Sequence, residues 1–164
     1  MANLSKELNA YLANLNVMAQ NVRNMHWNVI GPYFTALHLA TGKIYKDLAC
    51  QIDEVAEMMK MQQMQPLARL SDYINEATIE ELDARDYNEY ELIDNMVAGG
   101  QELMKQAKEI RDTADDDDNF LVANKFEEYL CCYAKMEWMV RAMHIDEYRR
   151  DQDDEDDDDD EDDD

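Results

Sequence analysis

The stretch LSKELNAYLANLNVMAQNVRNMHWNVIGPYFTALH, residues 4–38, decides the fold of this chain. Leu4, Leu8, Tyr11, Leu12, Leu15, Met18, Ala19, Val22 and Met25 recur at the three- and four-residue spacing of an amphipathic helix. Gly31-Pro32 ends that helix, because proline cannot continue the ladder and glycine accepts turn geometry. A second helix is predicted to start near Tyr33–Thr35, with Leu37, Thr41, Ile44, Tyr45, Leu48, Ile52, Val55, Ala56 and Met59 inward, and to run to about Gln63. The opening element is therefore a helical hairpin.

Beyond it the pattern continues. Residues 67–75 suit a short helix after Pro66. Ile93, Met96, Val97, Gly100, Leu103, Met104, Ala107 and Ile110 mark a third long helix, broken by Asp115–Asp118. Asn119 suits the cap of a fourth, whose inward face is predicted as Phe120, Ala123, Leu130, Ala134, Trp138, Ala142 and Ile145. Four long helices with one long crossover describe an all-α, ferritin-like four-helix bundle with a short extra helix between helices 2 and 3.

Composition agrees. The 164 residues include only 4 Gly and 2 Pro, which favours helices over sheet and suffices for one domain. The expected division is a bundle over residues 1–150 and a disordered acidic tail over residues 151–164. Absence of a membrane-length apolar run or signal-peptide core predicts a cytoplasmic protein. Cys50, Cys131 and Cys132 offer no C-x-x-C clamp and are read as buried small hydrophobes.

The net charge of −24 is uneven. Residues 151–164 hold 13 acidic side chains and no basic one, leaving 26 acidic against 15 basic elsewhere. Such a surface opposes the counterion release on which nucleic-acid binding depends, so direct DNA binding is disfavoured. The tail either gathers divalent cations or keeps assemblies soluble and apart. Deleting residues 151–164 separates the two: unchanged divalent-cation uptake at physiological salt excludes the first.

The candidate chemistry lies in four residues. His26 and His38 sit on two elements across Gly31-Pro32, and Asp53 and Glu57 share a helix face one turn apart. Imidazoles and carboxylates together suit iron or zinc. A solvated acidic face and hydrogen-bonded structural histidines are the plain alternative. Ile52, Val55 and Ala56 surround the acids with apolar side chains, so the acids need partners from a metal or a neighbouring subunit. No Glu-x-x-His occurs, which argues against a di-iron centre inside one bundle. His144 is read as a helix-end residue interacting with the dipole, and Trp27 as core filler or as an electron donor beside His26.

The residues now on the page resemble the Dps family, the DNA-binding proteins from starved cells or mini-ferritins. Tyr11-Leu12-Ala13-Asn14-Leu15-Asn16-Val17 through Asn24-Met25-His26-Trp27-Asn28-Val29 is similar to that family's first helix. Gly31, Phe34, Leu37-His38, Tyr45 and Asp53-Glu54-Val55-Ala56-Glu57 continue the likeness, as do Pro66-Leu67-Ala68, Asp72-Tyr73-Ile74, Ala77-Thr78-Ile79-Glu80-Glu81 and Lys135-Met136-Glu137-Trp138-Met139. The resemblance implies a dodecameric homo-oligomeric shell that oxidises Fe(II), preferably with hydrogen peroxide, and stores ferric mineral. It also implies a ferroxidase centre across a two-fold interface, with His26 and His38 from one subunit and Asp53 and Glu57 from its mate as catalytic metal ligands. The region of Asp115–Asp118 would approach a three-fold pore.

Two departures stand out. Gly42 occupies the position where the family usually has an aspartate four residues after the second histidine, and Met58 follows Glu57 where arginine is common. The site is expected to be one carboxylate short. The alternative function is accordingly a non-enzymatic metal-binding shell or buffer with a weakened ferroxidase site.

Overall fold

A computed structural model describes residues 2–142. It contains helices α1 (Ala2–Asn28), α2 (Phe34–Met61), α3 (Leu70–Glu76), α4 (Glu89–Asp116) and α5 (Phe120–Arg141). No strand occurs among the described residues. A lone parallel bridge joins Val29 to Tyr87. The architecture is the expected ferritin-like four-helix bundle with a short helix in the crossover. The predicted tail, Ile145 and His144 lie outside the described residues.

Gly31 makes the α1–α2 turn with φ +112, a left-handed conformation that L side chains rarely adopt. The crossover, residues 62–88, then climbs back along α1 to bring the start of α4 beside the end of α1. Tyr87 N–H donates to Asn28 O and Ile30 N–H to Tyr87 O, both at 2.9 Å. Asn88 caps α4 in a capping box with Glu91, satisfying two otherwise orphan N–H groups.

The crossover is fastened by asparagines on α1 that hydropathy reasoning passes over. Asn9 donates to Gln65 O and accepts from Leu67 N–H. Asn14, fully buried, accepts from Thr78 and Ile79 N–H. Asn21 donates to Glu80 O and accepts from Leu82 N–H, and Asn24 donates to Leu82 O and Asp83 O. Irregular backbone lying on a helix needs such partners, because its N–H and C=O groups are otherwise buried unpaired.

The core faces of α1, α2 and α4 follow the predicted periodicity. On α5 the prediction holds for Ala123 and in part for Leu130, but fails at Phe120, Ala134, Trp138 and Ala142. The buried residues are Val122, Ala123, Phe126, Tyr129, Tyr133 and Val140, whereas Phe120 and Trp138 are mostly exposed. Hydrogen bonds explain the rotation. Tyr133 O–H donates to Gln51 Oε1 at 2.6 Å and Tyr129 O–H to Glu54 Oε2 at 2.8 Å, while the Tyr11 and Tyr133 hydroxyls bond each other. With their polar tips satisfied, these rings enter the core and turn Trp138 out.

Other expectations are also corrected. Cys50, Cys131 and Cys132 are exposed rather than buried, and Trp27 is 61% exposed rather than core filler. Asp115 and Asp116 form the last residues of α4 rather than its break, so the dipole there opposes them. Arg111, which bonds Asp112 and Glu127 and lies 3.8 Å from Asp115, offsets part of that charge. Asn119 caps α5 as expected, accepting from Val122 N–H.

Candidate metal centre

His26 ends α1 and His38 lies one turn into α2, so the Gly31 turn folds the two rings together. They stack with centroids 3.8 Å apart and planes 17° from parallel. His26 Nδ1–H donates to His38 O and His38 Nδ1–H to His26 O, each at 2.8 Å. A carbonyl only accepts, so both Nδ1 atoms carry the proton. With Nδ1 as the donor, Nε2 is the nitrogen of each ring left to face a ligand. Fixing the tautomer through the other nitrogen is how metal-binding imidazoles are prepared.

Sequence reasoning placed Thr41 in the core without a role at the site. Its hydroxyl donates to Leu37 O at 2.7 Å and lies 3.3 Å from His26 Nδ1. Phe34 stacks on the outer face of His38 at 5.2 Å, and Tyr45 meets His26 edge-on at 5.4 Å. Gly42 faces the His26 ring: a Cβ there would lie 3.1 Å from His26 Cε1. Helical spacing back from Gly42 to His38 puts these residues on one face, the signal that makes Thr41 and Tyr45 legible afterwards.

Asp53 and Glu57 are exposed one turn apart on α2. Neither has a hydrogen-bond or ion-pair partner among the described residues. Two like charges at this spacing destabilise an isolated helix by a few tenths of a kcal/mol. Asp53 follows His38 by fifteen residues on the same uninterrupted helix, about 22 Å along the axis. The structure thus brings the histidines together and the carboxylates together, but does not join the pairs within one chain. Among the described residues no three His, Cys, Asp or Glu side chains converge on a metal-sized space.

Glu54, next to Asp53, is turned toward α5. Burial works to raise its pKa, but hydrogen bonds from Tyr129 and Lys125 outweigh this and hold it below the ordinary carboxylate value. Burial pushes the Tyr11, Tyr129 and Tyr133 hydroxyls well above the usual phenol value.

Fold and histidine geometry together define a ferritin-like protein, and residues 5–149 match the ferritin-like domain family. The chain belongs, within it, to the Dps family. It is 30% identical over 135 residues to the DNA protection during starvation protein of Brevibacillus brevis, covering 82% of this chain and 90% of that one. The protein of that name from Porphyromonas gingivalis is 31% identical over 148 residues, covering 87% and 89%. The crystal structure of Dps from Vibrio cholerae, described as a member of a superfamily of ferritin-like diiron-carboxylate proteins, superposes with a TM-score of 0.82. It is 31% identical, covering 87% of this chain and 89% of that one.

Proposed function

We propose that this protein stores iron and protects against oxidative stress by oxidising Fe(II), preferably with hydrogen peroxide, at centres shared between two copies. One copy supplies His26 and His38, its mate Asp53 and Glu57. The complete assembly is a dodecameric cytoplasmic shell that holds the ferric mineral. The observation that carries this reading is the division of the ligands. Stacked imidazoles with free Nε2 atoms stand about 22 Å along α2 from two exposed carboxylates without partners. Each pair is half of a centre. A two-fold contact that pairs α2 with α2 of a mate joins the halves twice over.

The donor chemistry supports oxidation. Carboxylate oxygens favour Fe(III) over Fe(II), so electron loss is downhill once the substrate iron is held. Two Fe(II) and two protons reduce one peroxide to two waters, with no hydroxyl radical released. Direct DNA binding is not part of the proposal, given a net charge of −24.

Subunit mixing tests the shared centre. His26→Ala and Asp53→Ala chains, each inactive alone, are co-refolded and given Fe(II) and peroxide while ferric absorbance is followed. Shared centres restore about a quarter of the wild-type rate, because each mixed dimer rebuilds one intact centre of two. No recovery excludes the arrangement.

Gly42 supports the alternative of a non-enzymatic metal-binding shell. In that case the wild-type rate is no faster than that of the His26→Ala/Asp53→Ala double variant. A gel shift with and without Mg(II) tests DNA association separately.

A further inference from the structure

Two cations stand beside the His26 ring, and the centre described above gives them no role. Tyr45 meets His26 edge-on at 5.4 Å, and both cations lie against the Tyr45 ring: Arg23 Cζ is 5.2 Å from its centre and Lys46 Nζ 5.9 Å. Arg23 precedes His26 by three residues and Tyr45 follows Gly42 by three, so the Arg23–Tyr45 rung lies one turn from the His26–Gly42 rung. Neither cation has a carboxylate within ion-pair distance among the described residues. Arg23 Nη1 donates to Gln20 Oε1 at 3.1 Å, and Asp47, the carboxylate next to Lys46, is held by Lys43 at 2.7 Å. At Gly42 the His26 edge is left bare, since the three atoms nearest to a Cβ there belong to that ring.

Cations beside a centre that takes up Fe(II) work against it, because like charges repel and a half-buried position is only partly screened. The shared centre enlarges the imbalance. Two divalent ions meet two carboxylates and two imidazoles, which ligate in their uncharged form, so two positive charges stay uncancelled. An oxyanion between the metal and the two cations reverses the sign, since both attract it. A guanidinium is suited to hold one, presenting a rigid fork of N–H groups that matches phosphate.

We propose that Arg23, with Lys46 beside it, recruits a small tetrahedral oxyanion of the phosphate class to the His26 side of the centre, where it serves as the anionic ligand that Gly42 does not supply. The inference rests on the shared-centre reading above. Metal uptake then depends on the anion: the same cations oppose the metal without it and favour the metal with it.

The test titrates Co(II), which stays divalent and lays down no mineral, into the metal-free assembled protein by calorimetry. One series contains inorganic phosphate and the other chloride at equal ionic strength, with free Co(II) corrected for its solution complex with phosphate. Phosphate is expected to tighten Co(II) binding to the wild type on the order of ten-fold, and Co(II) to tighten phosphate by the same factor. Arg23→Gln should lose most of that gain, yet bind Co(II) more tightly than wild type in chloride, because a repelling charge is gone. Lys46→Gln should shift both affinities in the same directions by less. Gly42→Asp brings its own carboxylate, so its affinity should respond little to phosphate. The visible absorption of bound Co(II) should change with phosphate in the wild type and not in Arg23→Gln.

Equal affinity in phosphate and chloride overturns the proposal. So does a phosphate gain kept in Arg23→Gln/Lys46→Gln, which puts the anion elsewhere. Arg23→Gln weaker than wild type by the same factor in both series also overturns it, and assigns Arg23 to a carboxylate of the mate. Co(II) affinity unchanged in His26→Ala overturns the shared-centre reading, and this inference with it. A His26-dependent Co(II) site indifferent to phosphate overturns this inference alone.

Discussion

His26 and His38 hold each other in place through their main chains: each imidazole Nδ1–H is bonded to the carbonyl of the other residue, at 2.8 Å, while the rings stack at 3.8 Å. An ion lying in the plane of one ring stands several ångströms off the plane of the other. Under the proposed function each ring would serve its own ion, and the stack fits the ~3.5–4 Å spacing of two-metal sites. Because the anchors are backbone oxygens, His26→Ala leaves the His38 anchor intact. Nitrogen-15 spectra of that variant should still show His38 protonated at Nδ1, while Co(II) affinity falls on the order of ten-fold or more.

Gly42→Asp should restore a carboxylate one turn from His38. Titration calorimetry with Co(II) is expected to show a second ion bound on the order of ten-fold more tightly, with the first little changed. The new Cβ lies 3.1 Å from His26 Cε1, so the ring must yield by a few tenths of an ångström. Replacing a mid-helix glycine returns a few tenths of a kcal/mol, so urea midpoints should stay close to wild type.

Asn21→Ala should loosen the crossover. It removes the acceptor of Leu82 N–H and the donor to Glu80 O. Leaving those backbone groups unpaired costs about 1–3 kcal/mol. Urea denaturation of the assembled protein should register the loss, and hydrogen exchange should rise at residues 79–83 before it rises in α1.

Alkaline pH should unfold the protein through its tyrosines. Burial raises the folded-state pKa of Tyr11, Tyr129 and Tyr133. Above the usual phenol pKa of about 10 the unfolded chain releases these protons and the folded chain keeps them, so stability falls as pH rises. The slope is up to about 1.4 kcal/mol per pH unit per tyrosine. Tyr133→Phe should flatten it. Glu54 acts in the opposite range: its folded pKa is depressed, so its contribution is present above the unfolded value and is lost as pH falls through the folded one. Thermal melts across both limbs check the two signs.

The hairpin, the crossover with its short helix and the third and fourth long helices were legible because apolar spacing and Gly31-Pro32 are local signals. The inward face of α5 was not. Hydropathy ranks Trp138 above Tyr129 and Tyr133, and only their hydrogen-bond partners on α1 and α2 reverse that order. The asparagines of α1 were equally silent, since polar residues on a helix read as solvent-facing until a strand of backbone is laid over them.

For the site, the sequence by itself determined the candidate ligand types and the shared helix face of Asp53 and Glu57, which follow from side-chain chemistry and the helical repeat. Gly42 stood out only against the pattern of the Dps family. Tertiary structure alone decided that His26 and His38 meet as a tautomer-fixed stack and that both stand too far along α2 from Asp53 and Glu57 to share an ion within one chain. The reason is geometric: a turn brings residues twelve apart into contact, whereas fifteen residues of continuous helix hold their ends about 22 Å apart.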